Sequence, residues 1–131
     1  MATTIVIKDE TAAGKVTNEI SLSFDTELIT VKEIIQARVR AEVELYNKRL
    51  PEYYKGLVQP LDAETTLNGY KMRTSRQIDP EKQSFAALDA FSKNGYFVLI
   101  DNIQAESLDQ MVVINSTTEI SFVKLTPLVG G

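Results

Sequence analysis

The chain has 131 residues, 44% of them hydrophobic and 24% charged, close to globular averages and enough for one domain with a sizeable core. It contains neither Cys nor His, which removes disulfide scaffolds, thiol nucleophiles, the usual zinc sites and histidine acid–base catalysis. A net charge of −4 and a pI near 4.9 argue against nucleic acid as a partner, because phosphate-backbone affinity comes from clustered Lys and Arg.

The opening residues carry no basic region followed by an apolar run, and no apolar stretch reaches membrane-spanning length. A cytoplasmic protein with no membrane association is expected. From Thr3 to Lys8, Ile5 and Ile7 share a parity opposite Thr4, Val6 and Lys8, the pattern of a strand with one core-facing side. Val16, Ile20, Leu22 and Phe24 repeat it, and Gly14 supplies a turn, so an antiparallel hairpin is predicted for the first 25 residues.

Thr30-Val31-Lys32-Glu33 is a capping box, with Thr at the N-cap and Glu three residues on. Val31, Ile35, Val39, Val43, Tyr46 and Leu50 follow at helical spacing, while Lys32, Glu33, Arg38, Arg40, Glu42 and Glu44 fall on the remaining surface. Pro51 ends the helix.

Beyond it, Tyr53 to Pro60 reads as a loop or short irregular element, and Asn68-Gly69 as a turn. Asp79-Pro80-Glu81 opens a second helix with Asp as N-cap and Pro at the first helical position, its apolar side Phe85, Leu88 and Phe91 and its C-terminal cap Gly95. Lys71, Arg73 and Arg76 read as a solvated loop. The acidic pairs at Asp9-Glu10, Asp25-Glu27 and Asp62-Glu64 lack the spacing of a calcium loop and read as surface charge, so no metal or cofactor is expected. Tyr96 to Ile100 is a short buried strand, Ile103-Gln104 a minimal returning one, and Ile120 to Leu125 a half-buried final strand. After Pro127, Leu128 and Val129 the sequence closes on Gly130-Gly131. At ordinary glycine usage such a pair falls at a given place in about one chain in 200, so the ending is informative.

The order hairpin, long helix, strand, short strand, final strand and Gly-Gly tail resembles the β-grasp of ubiquitin. Ile5-Val6-Ile7 resembles that family's first strand, and Thr30-Val31-Lys32-Glu33-Ile34 the start of its helix. Ser107-Leu108-Asp109-Gln110-Met111 is similar to the turn before its last strand, and Thr118 to Gly131 to that strand and tail. The likeness covers roughly residues 3–47 and 96–131 and is closest to bacterial ubiquitin-like modifiers.

It implies an α+β fold, a single ubiquitin-like domain over 1–131 with a helical insertion at 50–94 between the main helix and the third strand, and a flexible tail over 126–131. The final strand would lie between the first and the third. The tail lacks the arginines typical of ubiquitin.

The resemblance implies a protein modifier, not an enzyme. A dedicated activating enzyme would adenylate Gly131 and pass it through a thioester to an amine, with conjugating and deconjugating enzymes and target-protein lysines as further partners; self-association is compatible with it. Gly130 and Gly131 would enter a narrow channel that a Cβ would obstruct. Pro127, unable to donate to a ladder, would peel the tail from the sheet, exposing Leu128 and Val129 for recognition. Val98 and Val123 are candidates for an exposed partner patch, or else core beneath the second helix. Two rival functions stand beside the modifier: a sulfur carrier using the same activated glycine, and an interaction or assembly module whose tail does no chemistry.

Overall fold

The opening alternation folds as an antiparallel hairpin of β1 (Thr3–Thr11) and β2 (Val16–Phe24), with Ile5 opposite Leu22, Ile7 opposite Ile20 and a register shift between Asp9 and Glu10. Gly14 turns the chain at φ 86°, a left-handed conformation open to glycine at no steric cost, and its N–H donates to the Thr11 carbonyl at 2.9 Å. The structure, a computed structural model, describes residues 2–67, 69–74 and 76–125. The tail positions singled out above, Pro127, Leu128, Val129, Gly130 and Gly131, lie outside the described residues.

After the hairpin come β3 (Leu28–Thr30), α1 (Val31–Arg49), β4 (Tyr53–Tyr54), β5 (Ala63–Thr66), β6 (Gly69–Met72), α2 (Pro80–Ser92), β7 (Tyr96–Ile100), β8 (Ile103–Gln104), β9 (Met111–Val113) and β10 (Ile120–Lys124). The architecture is α+β. The chain divides into two compact units, Met1–Ile34 with Ala90–Gly131, and Ile35–Asp89. Among the described residues no helix is long and apolar enough to cross a membrane.

In the first unit five strands form a mixed sheet in the order β2-β1-β10-β7-β8. β10 is central, parallel to β1 with Ile7 opposite Ile120, and antiparallel to β7 with Phe122 opposite Val98. Period-2 alternation puts Ile5, Ile7, Leu22, Phe24, Tyr96, Val98, Ile100, Ile120 and Phe122 in the core. β7 and β8 are joined through Asp101 and Asn102, both at positive φ (49° and 67°), the conformation of a tight two-residue hairpin turn that Asp and Asn tolerate. β3 and β9 form a separate two-stranded ribbon.

The ribbon leads into α1. Thr30 Oγ1 accepts the Glu33 N–H at 3.1 Å and lies 3.3 Å from the Glu33 carboxylate. The next orphan donors, Val31 N–H and Lys32 N–H, reach the carbonyls of Gln110 and Leu108, each at 3.0 Å, so the turn before β9 completes the helix start.

The second unit contains a three-stranded antiparallel sheet, β4-β6-β5, where the sequence pattern suggests only loop and turn. α2 begins as its sequence predicts, Asp79 Oδ1 accepting the N–H groups of Glu81 (2.9 Å) and Lys82 (3.3 Å). Its buried positions, however, are Gln83, Ser84 and Ala87, whereas Phe85 is 73% exposed. Of the expected stripe, Phe85 is therefore not packed, whereas Leu88 and Phe91 are half-buried and the Phe91 ring lies 6.1 Å from that of Tyr96. The C-terminal cap is also shifted by one: Asn94, at φ 60°, takes the left-handed position, and Gly95 N–H closes the motif on the Ala90 carbonyl at 2.8 Å.

Candidate functional site

Three groups of residues were candidates on sequence grounds: the sheet patch, the charged segments and the tail. The sheet divides the two patch valines. Val98 stands opposite Phe122 and both are fully buried, so Val98 is a core residue. Val123 stands opposite Phe97 on the other face and is half-buried. The physical reason is parity: in Tyr96-Phe97-Val98-Leu99-Ile100 both faces are apolar, so composition does not reveal which face points outward. The outward face carries Phe97, Leu99 and Val123, all half-buried, with Ser121 opposite Leu99 and, on β1, Val6 at 45% exposure. Lys8 and Glu10 stand opposite Ser121 and Val123 along β1. The result is a small apolar strip bordered by one cation and one anion, able to accept an apolar partner surface and unequipped for bond-making chemistry.

The second unit holds the strongest electrostatic feature, one that the helical pattern hides. Arg38 and Glu42, expected on the solvent side of α1, are buried at 0% and 8% exposure. Arg38 Nε donates to Glu42 Oε1 at 2.6 Å. Glu42 Oε2 accepts the Leu57 N–H at 3.1 Å and the Tyr54 hydroxyl at 3.3 Å. One carboxylate thus joins the helix to the segment that carries β4. The Tyr54 ring packs edge-on against Tyr46, centroids 5.5 Å apart, and lies 6.5 Å from Tyr70.

Burial, reinforced by the Glu42 charge, pushes the Tyr54 hydroxyl far above its ordinary range. Tyr70 is raised by the same two causes in the same order, and Tyr46 by burial. Gly56 sits against this cluster, and a Cβ there would run into the Tyr54 ring. Acid and cation neutralise each other away from solvent, so the cluster is a structural clamp and offers no accessible nucleophile or base.

Lys71, Arg73 and Arg76 are each matched by an acid: Lys71 with Glu52 (3.7 Å), Arg73 with Glu64 (3.9 Å) and Arg76 with Asp62 (3.2 Å). These exposed pairs account for the basic cluster and for the Asp62-Glu64 acids together. Asp9, read as surface charge, is buried on the core-facing side of β1 opposite Phe122. Among the described residues no group of three or more acidic side chains is placed to hold a metal ion.

Comparison with models of known families, with curated proteins and with solved structures finds no match to this chain.

Proposed function

We propose that this chain is a ubiquitin-like modifier on a β-grasp scaffold, with residues 50–94 as an insertion between its main helix and its third strand. The observation that carries the reading is the sheet order β2-β1-β10-β7-β8, with β1 and β10 parallel neighbours at its centre. A hairpin followed by a helix and a returning central strand fits the β-grasp arrangement, in which the C-terminal tail follows the central strand. Leu125, the last described residue, is already exposed.

The reactive group in this reading is the Gly131 carboxylate. It attacks the α-phosphate of ATP and releases pyrophosphate; a thiol of the activating enzyme then displaces AMP to form a thioester, and a target amine displaces that thiol to leave an amide. Gly130 and Gly131 fit the narrow channel such a transfer needs. Leu128 and Val129 supply apolar recognition by a dedicated activating enzyme, and Phe97, Leu99 and Val123 supply a second surface for conjugating or deconjugating enzymes.

The test is to express the N-terminally tagged chain in cells of its source beside a version lacking Gly130 and Gly131. Denaturant-resistant adducts are expected from the full chain alone. Trypsin cutting after Lys124 should leave Leu125-Thr126-Pro127-Leu128-Val129-Gly130-Gly131 attached to a target lysine. Identical adducts from both versions, or none from either, refute the modifier. A thiocarboxylate at Gly131 without isopeptide products would assign the same chemistry to sulfur transfer.

A further inference from the structure

The geometry points to the β3–β9 ribbon as a docking edge that takes an extended, basic segment of a partner protein as its third strand. The ribbon's phase is set by its neighbours. Ile114 N–H donates to the Glu27 carbonyl at 2.7 Å and Val31 N–H to the Gln110 carbonyl at 3.0 Å, with Ile29 opposite Val112 midway between them. Hydrogen-bonded and non-hydrogen-bonded pairs alternate in an antiparallel ladder, so the pairs Leu28–Val113 and Thr30–Met111 direct their backbone groups away from each other. Among the described residues β9 has no second strand neighbour. The N–H and C=O groups of Met111 and Val113 therefore face an open edge among the described residues.

The side chains suit an added strand. Met111 and Val113 are 53% and 70% exposed, Leu28 beside Val113 is 53% exposed, and only the intervening Val112 is buried. Edge strands are ordinarily blunted by lysine, proline or a bulge; Met111-Val112-Val113 has none of these and is protected only by its shortness. Backbone pairing gives such an edge its affinity, and alternate side chains give it selectivity.

Charge decides the occupant. No Lys or Arg occurs between Lys93 and Lys124, a stretch that contains Asp101, Glu106, Asp109 and Glu119. Asp25 and Glu27 lead into β3 and Asp109 into β9; all three are exposed and in no ion pair among the described residues. The first unit as a whole carries ten acidic and five basic residues, and Lys32 is the one cation next to the ribbon in sequence. A second copy would bring the same acids to the same edge. A segment alternating Val or Ile with Lys or Arg meets both the apolar and the acidic demand. The inference goes beyond the modifier reading and stands whether or not Gly131 is activated.

The probe is a short synthetic peptide alternating valine with lysine, titrated into the isotopically labelled full chain and followed by amide resonances. Shifts confined to residues 27–30 and 109–114 are expected, weakening with salt. The same peptide with glutamate in place of lysine should not bind. Val113→Pro deletes one outward donor without touching the ladder and should weaken binding about fivefold, the scale of one lost hydrogen bond. Met111→Lys places a like charge on the edge and serves equally should the proline variant not fold. Binding elsewhere, equal binding of the glutamate peptide, undiminished binding to Met111→Lys, or concentration-dependent self-association that shields these amides would each overturn the proposal.

Discussion

Replacing Glu42 with leucine removes the acceptor on which the second unit's buried polar cluster depends. The Arg38 guanidinium, with no solvent exposure, would lose its 2.6 Å partner, and the Leu57 N–H and Tyr54 hydroxyl would lose their shared acceptor. Deleting one member of a buried ion pair costs about 3–5 kcal/mol. An orphaned buried amide costs about 1–3 kcal/mol. The two overlap, because relaxation that serves one group serves the other, so a net loss of about 4–6 kcal/mol is expected. That equals much of a stability of about 5–15 kcal/mol. The double replacement Arg38→Met with Glu42→Leu removes the buried charge as well, leaving mainly the Leu57 amide uncompensated, and should cost only about 1–3 kcal/mol. Denaturant midpoints read by tyrosine fluorescence, in a chain with no Trp, measure all three proteins. A Glu42→Leu loss below about 1 kcal/mol would refute the reasoning, since it could not be the loss of a buried ion-pair partner. So would a double variant as unstable as Glu42→Leu alone.

Alkaline pH should destabilise the protein. Tyr54, Tyr70 and Tyr46 all have hydroxyls raised in the folded state above their ordinary value of 10.0. The unfolded chain therefore releases protons first, so the stabilisation is full below about pH 10 and is lost as pH rises beyond it. Tyrosinate absorbance should show Tyr54 ionising only with unfolding; early ionisation of all five tyrosines would contradict this. Gly56→Ala should cost about 1–3 kcal/mol by driving a methyl into the Tyr54 ring, seen as a lowered thermal midpoint. Val98→Ala should cost about 2 kcal/mol because the site is fully buried, whereas Val123→Ser should stay within about 1 kcal/mol and weaken partner binding instead. Phe85→Ser, at an exposed helix position, should change stability by less than about 0.5 kcal/mol in denaturation.

Local chemistry made much of the fold legible. Thr30 and Asp79 mark their helix starts because a side-chain oxygen at that position has one use, to receive orphan amides. The β1–β2 alternation is readable because Thr4, Lys8, Glu19, Ser21 and Ser23 make one face largely polar, with Val6 as its apolar exception. The three-stranded sheet of the second unit escaped for the opposite reason. Tyr53–Tyr54 is too short to show a period, and Ala63–Thr66 has no apolar alternation; what remained was Asn68-Gly69, a hairpin signal without recognisable flanking strands. The α2 stripe misled because Phe85 and Leu88 outweigh Gln83 and Ser84 on any hydropathy reading, yet the Gln83 amide donates to the Val58 carbonyl at 2.7 Å and so can be buried with its donor satisfied.

The same distinction explains the candidate sites. Arg38 and Glu42 lie one residue before Val39 and Val43, on the flank of the apolar stripe, and helical periodicity assigns such charges to solvent. Their burial depends on Tyr54 and Leu57 closing over them, an event 12 and 15 residues along the chain from Glu42 that local pattern does not encode. The available hint was the i,i+4 Arg–Glu spacing, which also occurs on ordinary exposed faces. Val98 and Val123 pose the complementary case: residue type identified both, but only the pairing of Phe122 with Val98 assigns their faces. Because Phe122 is itself fully buried, a one-residue slip of β10 would bring Val123 inward and expose the phenylalanine. The core therefore fixes which residues lie on the outward face of the sheet, and Phe97, Leu99 and Val123 lie there together.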